Sequence, residues 1–150
     1  MDLKSIRFIE ANQDLKDKWK NVSQWNKDVI EKVMHLENGF SIVAMQEEKM
    51  VGMISVYWKN LTKPIDETCE AYIDVIEVVK EYRENGIGKM LVDTLIKSAK
   101  KYDVYQIRAW SSEDKIEAIR MWRTLGFGLC PAVTYPKGKE VHGYYVSKVL

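Results

Sequence analysis

The stretch from Ala71 to Tyr102 constrains the fold most. Ala71 to Val79 (AYIDVIEVV) is rich in β-branched residues and reads as a strand. It leads into KEYRENGIGKMLVDTLIKSAKKY, where Ile87, Leu91, Leu95 and Ala99 recur every four residues, the spacing of an amphipathic helix. A strand joined to a helix through a glycine turn implies a sheet with helices packed on it.

The flanking segments extend this pattern. Ile6 and Phe8 mark a short first strand. Asn12 caps a helix with Leu15, Trp19 and Val22 on one face, and a second apolar stripe runs over Val29, Ile30, Val33, Met34 and Leu36 to a stop at Asn38-Gly39. Phe40 to Met45 and Met50 to Trp58 alternate like the arms of a hairpin. Lys59 to Glu70 then reads as a loop carrying Asp66, Glu67 and Glu70. Past the central helix, Val104 to Trp110 is a strand and Ser111-Ser112 are capping types. Ile116, Ile119, Trp122 and Leu125 form a helical stripe that ends at Gly126. Phe127 to Tyr135 and Val141 to Val149 pair across Pro136-Lys137-Gly138-Lys139. The order β, α, α, β, β, β, α, β, α, β, β implies an α/β (α+β) fold, a mixed sheet with helices on both faces. No repeat or linker marks a second domain, so residues 1–150 are expected to share one core.

Composition narrows the function. Hydrophobic residues at 46% and charged residues at 30% belong to a folded domain rather than a disordered chain. A net charge of +1 has no basic excess to favour nucleic acid. Two cysteines and two histidines without metal-ligand spacing give no structural zinc site, so no metal is expected. Cys69 and Cys130 read as packing residues. No run approaches the roughly 18 apolar residues of a membrane span, and MDLKSIRFIEA lacks a signal peptide's apolar core, so no membrane partner and a cytoplasmic location are expected.

The chemistry concentrates at Val78 to Lys89. The first turn of a helix leaves backbone N–H groups unpaired at the positive end of its dipole, which suits a phosphate. Gly86 and Gly88 let a ligand approach those amides. A Walker loop would need a glycine where Arg83 stands and a serine or threonine where Met90 stands. A dinucleotide fingerprint would need a glycine or alanine at Leu91. Without further context, an ordinary tight strand-to-helix connection is the better reading of a lone G-x-G.

Arg83-x-x-Gly86-x-Gly88 resembles the Q/R-x-x-G-x-G/A signature of the GNAT superfamily of acetyl-CoA-dependent N-acetyltransferases. Val78 to Leu91 resembles its longer form, with Lys80 in place of a frequent proline. Ala118, Ile119, Trp122 and Leu125-Gly126-Phe127 resemble the family's N-x-x-A-x-x-x-Y-x-x-x-G-F helix, and the element order is also the family's. The resemblance implies a mostly antiparallel sheet of about seven strands flanked by about four helices, with acetyl-CoA as acetyl donor. The backbone of Ile76, Glu77 and Val78 would bond the pantetheine arm, and the amides of Glu84, Asn85, Gly86, Ile87, Gly88 and Lys89 would cradle the pyrophosphate. Arg83 and Lys89 either add charge there or form a solvated surface pair.

The family reaction also implies a group that takes the ammonium proton, an oxyanion donor at the Val78 N–H, and help for the departing thiolate. Trp122 stands where relatives carry a tyrosine acid, leaving Tyr135, Tyr144 or Tyr145 as substitutes. Trp110 stands where many relatives end a strand in an acidic base. Asp74, 12 residues before Gly86, resembles the strand aspartate of aminoglycoside N-acetyltransferases. Glu77 is the second candidate, His142 a third, and a water relay competes with all of them. Trp110 and Trp122 are either core residues or walls of an acceptor cavity. The acidic residues 66, 67, 70 and 74 suit a small-molecule amine such as a polyamine or aminoglycoside, and a peptide amine remains open, as does a homodimer. The alternative, favoured by Trp122, is an acyl-CoA-binding module without transfer activity, acting as a sensor or partner-binding subunit.

Overall fold

The computed structural model describes residues 2–150. One seven-stranded sheet organises them: β1 (Ile6–Glu10), β2 (Gly39–Gln46), β3 (Lys49–Asn60), β4 (Cys69–Val78), β5 (Gln106–Ser112), β6 (Gly128–Thr134) and β7 (Val141–Val149), in the order β1-β2-β3-β4-β5-β7-β6. Every pairing is antiparallel except β4 with β5. The helices are α1 (Gln13–Trp19), α2 (Lys27–Val33), α3 (Ile87–Ala99) and α4 (Ile116–Thr124). This is the mixed architecture the element order predicts. No helix among the described residues is long and apolar enough to cross a membrane.

Alternation along the strands divides the core between the two faces of the sheet. Phe40, Ile42, Ala44, Ile54, Val56, Ala71 and Ile73 pack with Ile87, Leu91, Leu95 and Ala99 of α3. Val43, Met45 and Met53 on the other face pack with Trp19 of α1 and Ile30 and Met34 beside it.

Four local expectations change. The second helix ends at Val33 rather than at Asn38-Gly39, because the sheet captures the segment that follows. The His35 N–H donates to Ser55 Oγ (2.8 Å), and its carbonyl accepts from Ser41 Oγ (2.7 Å). Gly39 instead opens β2, where an added Cβ would lie 1.9 Å from the Val56 carbonyl oxygen. The loop after β3 shrinks to residues 61–68, since the strands pair out to Asn60 and Cys69. Ser111 and Ser112 remain in β5, opposite Tyr144 and Gly143, and Lys115 occupies the α4 cap without a side-chain bond. Cys69 is partly buried against the core, but Cys130 is exposed on β6.

Two irregularities shape the centre of the sheet. Ser55 pairs with Val75 and Val56 with Ile73, so Asp74 is the extra residue of a β-bulge. The parallel ladder of β4 with β5 runs only through Glu70↔Gln106, Ala71↔Ile107 and Tyr72↔Arg108. Beyond Tyr72 the strands part, and β4 continues six residues without β5.

Candidate functional site

The fork between β4 and β5 opens toward the start of α3. Its cleft, of about 620 Å³, is lined by Ile76 and Val78 of β4, the loop residues Arg83 and Glu84, Gly86 to Lys89, and Glu117, Ala118 and Met121 of α4. The Val79 N–H donates to Val51 O (2.9 Å) on the β3 side. Alternation therefore turns the backbone polar groups of Val78 and Ile76 toward the fork.

The loop is built to expose amides. Glu84 (φ 65°) and Gly86 (φ 82°, ψ 8°) both take left-handed conformations. Asn85 Nδ2 donates to the carbonyls of Tyr82 (3.1 Å) and Arg83 (2.9 Å), fixing the loop from within. Met90 N–H makes the first helical bond, to Gly86 O (3.0 Å), which leaves the amides of Ile87, Gly88 and Lys89 as the unpaired end of α3. No atom lies within 4 Å of a Cβ built on Gly86, and one on Gly88 would meet Met121 Sδ only at 3.9 Å. These are the features an extended phosphate-bearing ligand requires.

Arg83 is occupied structurally. Its Nε donates to Val78 O (2.9 Å) and its Nη2 to Gln24 Oε1 (3.4 Å), tying the loop to the α1–α2 connection. Lys89 is exposed at the cleft and makes no ion pair among the described residues.

The two carboxylates expected near the reacting amine differ sharply. Glu77 is 5% exposed and accepts from Ser23 Oγ (2.7 and 3.0 Å) and from the Gln24 N–H (3.2 Å). It anchors the α1–α2 connection to β4, which runs against its reading as a free base. Ser23→Ala would strip the hydroxyl from a buried charge and is expected to cost about 1–3 kcal/mol, measured by urea unfolding.

Asp74 is exposed on the bulge. Its Oδ2 lies 2.7 Å from His35 Nε2, at a cleft of about 390 Å³ shared with Asn38, Tyr57 and Trp58. The sequence stripe hid His35, because it follows an apolar helix and carries no motif. Burial, followed by the Asp74 carboxylate, holds the Tyr57 hydroxyl above its ordinary pKa. Burial, followed by Tyr57, does the same for Tyr72. Both phenols therefore remain protonated donors near neutral pH.

Trp110 is partly exposed and meets Tyr145 edge-on, with ring centroids 5.0 Å apart. Trp122 lies elsewhere: 3% exposed, it packs at 4.9 Å against Phe127 in the α3-side core, and its indole N–H is unpaired. It is a core residue, not the wall of an acceptor cavity. Of the tyrosines, Tyr144 packs against that same core, Tyr145 is on the opposite face beside Arg108, and Tyr135 Oη contacts Glu140 (3.3 Å) near the β6–β7 turn. His142 is in the same hairpin, 3.6 Å from Glu140. The acidic residues also disperse. Asp66 and Glu67 line a separate cleft with Asp103 and Tyr105, while Glu70 is 0% exposed and paired with Arg108.

Residues 6–127 match the profile of the Acetyltransferase (GNAT) family. No curated protein matches the chain. Among solved structures, Arabidopsis thaliana NAA60 in complex with acetyl-CoA superposes with a TM-score of 0.79 at 15% identity, over 97% of this chain and 99% of that one. The ribosomal-protein-S18-alanine N-acetyltransferase from Escherichia coli gives 0.76 at 17% identity, over 96% and 93%. The protein yncA from Salmonella typhimurium, solved with its cofactor acetyl-CoA, gives 0.73 at 16% identity, over 97% and 94%. At these identities the likeness is one of fold.

Proposed function

The chain belongs to the acetyltransferase (GNAT) family, acyltransferases whose donor is acetyl-CoA, and from that premise we propose that it acetylates a primary amine of a small molecule or peptide. The cofactor lies in the β4–β5 fork, and Asp74, steadied by His35, takes the ammonium proton. The carrying observation is that the fork opens two residues from the bulge that presents Asp74, with the unpaired amides of α3 at its other end.

The fork fits the donor by its shape and backbone. Ile87, Gly88 and Lys89 offer amides to the pyrophosphate, with the glycines keeping side chains out of its path. Ile76 offers strand groups to the amide-bearing arm, and the N–H of Val78, whose carbonyl Arg83 occupies, is a donor for charge developing on the acetyl oxygen. When bound, the thioester supplies an electrophilic acetyl carbon and a leaving thiolate.

An amine with a pKa of about 10 arrives protonated and cannot attack until a proton is removed. Asp74 receives the ammonium on its free oxygen while His35 Nε2 holds the other at 2.7 Å. Ser41 and Ser55 hold the His35 backbone, and Tyr57 lies 5.3 Å from its ring. The carboxylate is thereby oriented on two sides before the amine enters.

Thiol release from acetyl-CoA with a panel of amines, run beside calorimetric titration of acetyl-CoA, tests this reading. Expected is binding together with release that depends on the amine. Binding without release on any polyamine, aminoglycoside, amino acid or peptide would replace transfer by the role of an acyl-CoA-binding module.

A further inference from the structure

The sheet face beside Asp74 is electrically polarised, and this selects among amines. Its cofactor-ward end carries the Asp74 carboxylate and His35. Its other end carries two cations and one buried carboxylate, Glu70: Lys59 Nζ is 5.7 Å from the Tyr72 centroid and Arg108 Cζ is 5.3 Å from it, so Lys59 leaves that end with an excess of positive charge. Tyr57, 5.3 Å from Tyr72, bridges the two ends with an aromatic floor.

Arg108 is held as a presented group. Fully buried Glu70 takes Arg108 Nε (3.1 Å) and Nη2 (2.8 Å) on one oxygen and Gln106 Nε2 (2.7 Å) on the other. Arg108 Cζ also lies 5.6 Å from the ring centroid of Tyr145, so both tyrosine rings neighbour the guanidinium. Its Nη1 makes no hydrogen bond among the described residues, and the side chain is 28% exposed. A partly exposed guanidinium held by Glu70 through Nε and Nη2, with Nη1 outside that pair, is suited to take a second carboxylate. Lys59, exposed and without an ion pair among the described residues, adds charge of the same sign.

We propose that the acceptor is a primary amine that also carries a carboxylate, with the ammonium at Asp74 and the carboxylate at Arg108. This rests on the acetyl-transfer reading above. Arg108 faces Tyr72 across the ladder, and Asp74 lies two residues farther along β4, so the backbone positions are about 8 Å apart at roughly 3.3 Å per residue and 4.8 Å between strands. That span fits an ω-amino acid or a short peptide with a free carboxylate. It disfavours a polyamine, whose second ammonium would meet Arg108 and Lys59.

The probes are ω-amino acids of two to six methylenes, the methyl amide of each, and diamines of matching length, assayed by thiol release. The acids are expected to exceed their amides in kcat/KM by about 10-fold or more, equal to about 1.4 kcal/mol, with diamines poorest. The double variant Arg108→Gln/Glu70→Gln removes the cation without stranding a buried carboxylate. It should erase the preference by raising KM for the acids to the level of their amides. Arg108→Lys should retain part of the preference. Equal rates for acids and amides, diamines as the best substrates, or a preference that survives in the double variant would each overturn the proposal. Release on no amine at all would instead defeat the transfer reading.

Discussion

Gly86→Glu is expected to weaken acetyl-CoA binding by about 100-fold or more, about 2.7 kcal/mol, while the protein remains folded. The two effects separate because the free protein has room for the side chain: no atom lies within 4 Å of a Cβ at this position. Its left-handed backbone, φ 82°, costs a non-glycine residue about 1–2 kcal/mol, a fall of a few degrees in Tm for a chain of this length. The binding loss has another origin. The new carboxylate would stand at the unpaired amides of α3, where it adds bulk and repels a pyrophosphate. Gly86→Ala separates the contributions, since it imposes the backbone strain without the charge and should lose far less affinity. Calorimetry gives Kd and thermal unfolding gives stability. Unchanged affinity in the glutamate variant would remove the cofactor from this loop.

Asp74→Asn is expected to lower kcat/KM by about 10²- to 10³-fold at pH 7, within the usual range for loss of a general base. The loss should shrink as pH rises toward the amine's own pKa of about 10, because the amine then arrives neutral and needs no acceptor. Affinity for acetyl-CoA should change little, since the bulge residue belongs to the acceptor side of the fork. His35→Gln keeps a hydrogen-bonding side chain there and should produce a smaller loss with the same pH trend. A rate deficit in Asp74→Asn that is constant from pH 6 to 10 would show that Asp74 only shapes the site. No deficit at any pH would leave deprotonation to a water relay.

The loop at Gly86 was legible in the sequence because its chemistry is local. A strand end, two glycines and a helix start within a dozen residues define an amide cradle by themselves. Asp74 was visible as a residue but not as a bulge, since a bulge is a mismatch between two strands, and only the shift from Ser55↔Val75 to Val56↔Ile73 reveals it. His35 was hidden for a similar reason: its place depends on Ser41 and Ser55, which meet it through the sheet. Glu70 looked like part of an acidic loop, yet Arg108, 38 residues away, neutralises it. Glu77 and Trp122 carried motif positions but were drawn into structural work, one beneath the α1–α2 connection and the other against Phe127. Patterns contained within one element could be read directly, whereas side chains whose partners lie across the sheet could not.

The most direct measurement is a backbone-amide NMR titration with acetyl-CoA. The largest shifts are expected at Ile76 and Val78 in the fork and from Glu84 to Lys89 at the start of α3, with Asp74 and His35 responding next and the Asp66–Glu67 loop unaffected. Saturable shifts confined to another surface, with the amides of residues 84–89 unmoved, would contradict a cofactor held in the β4–β5 fork.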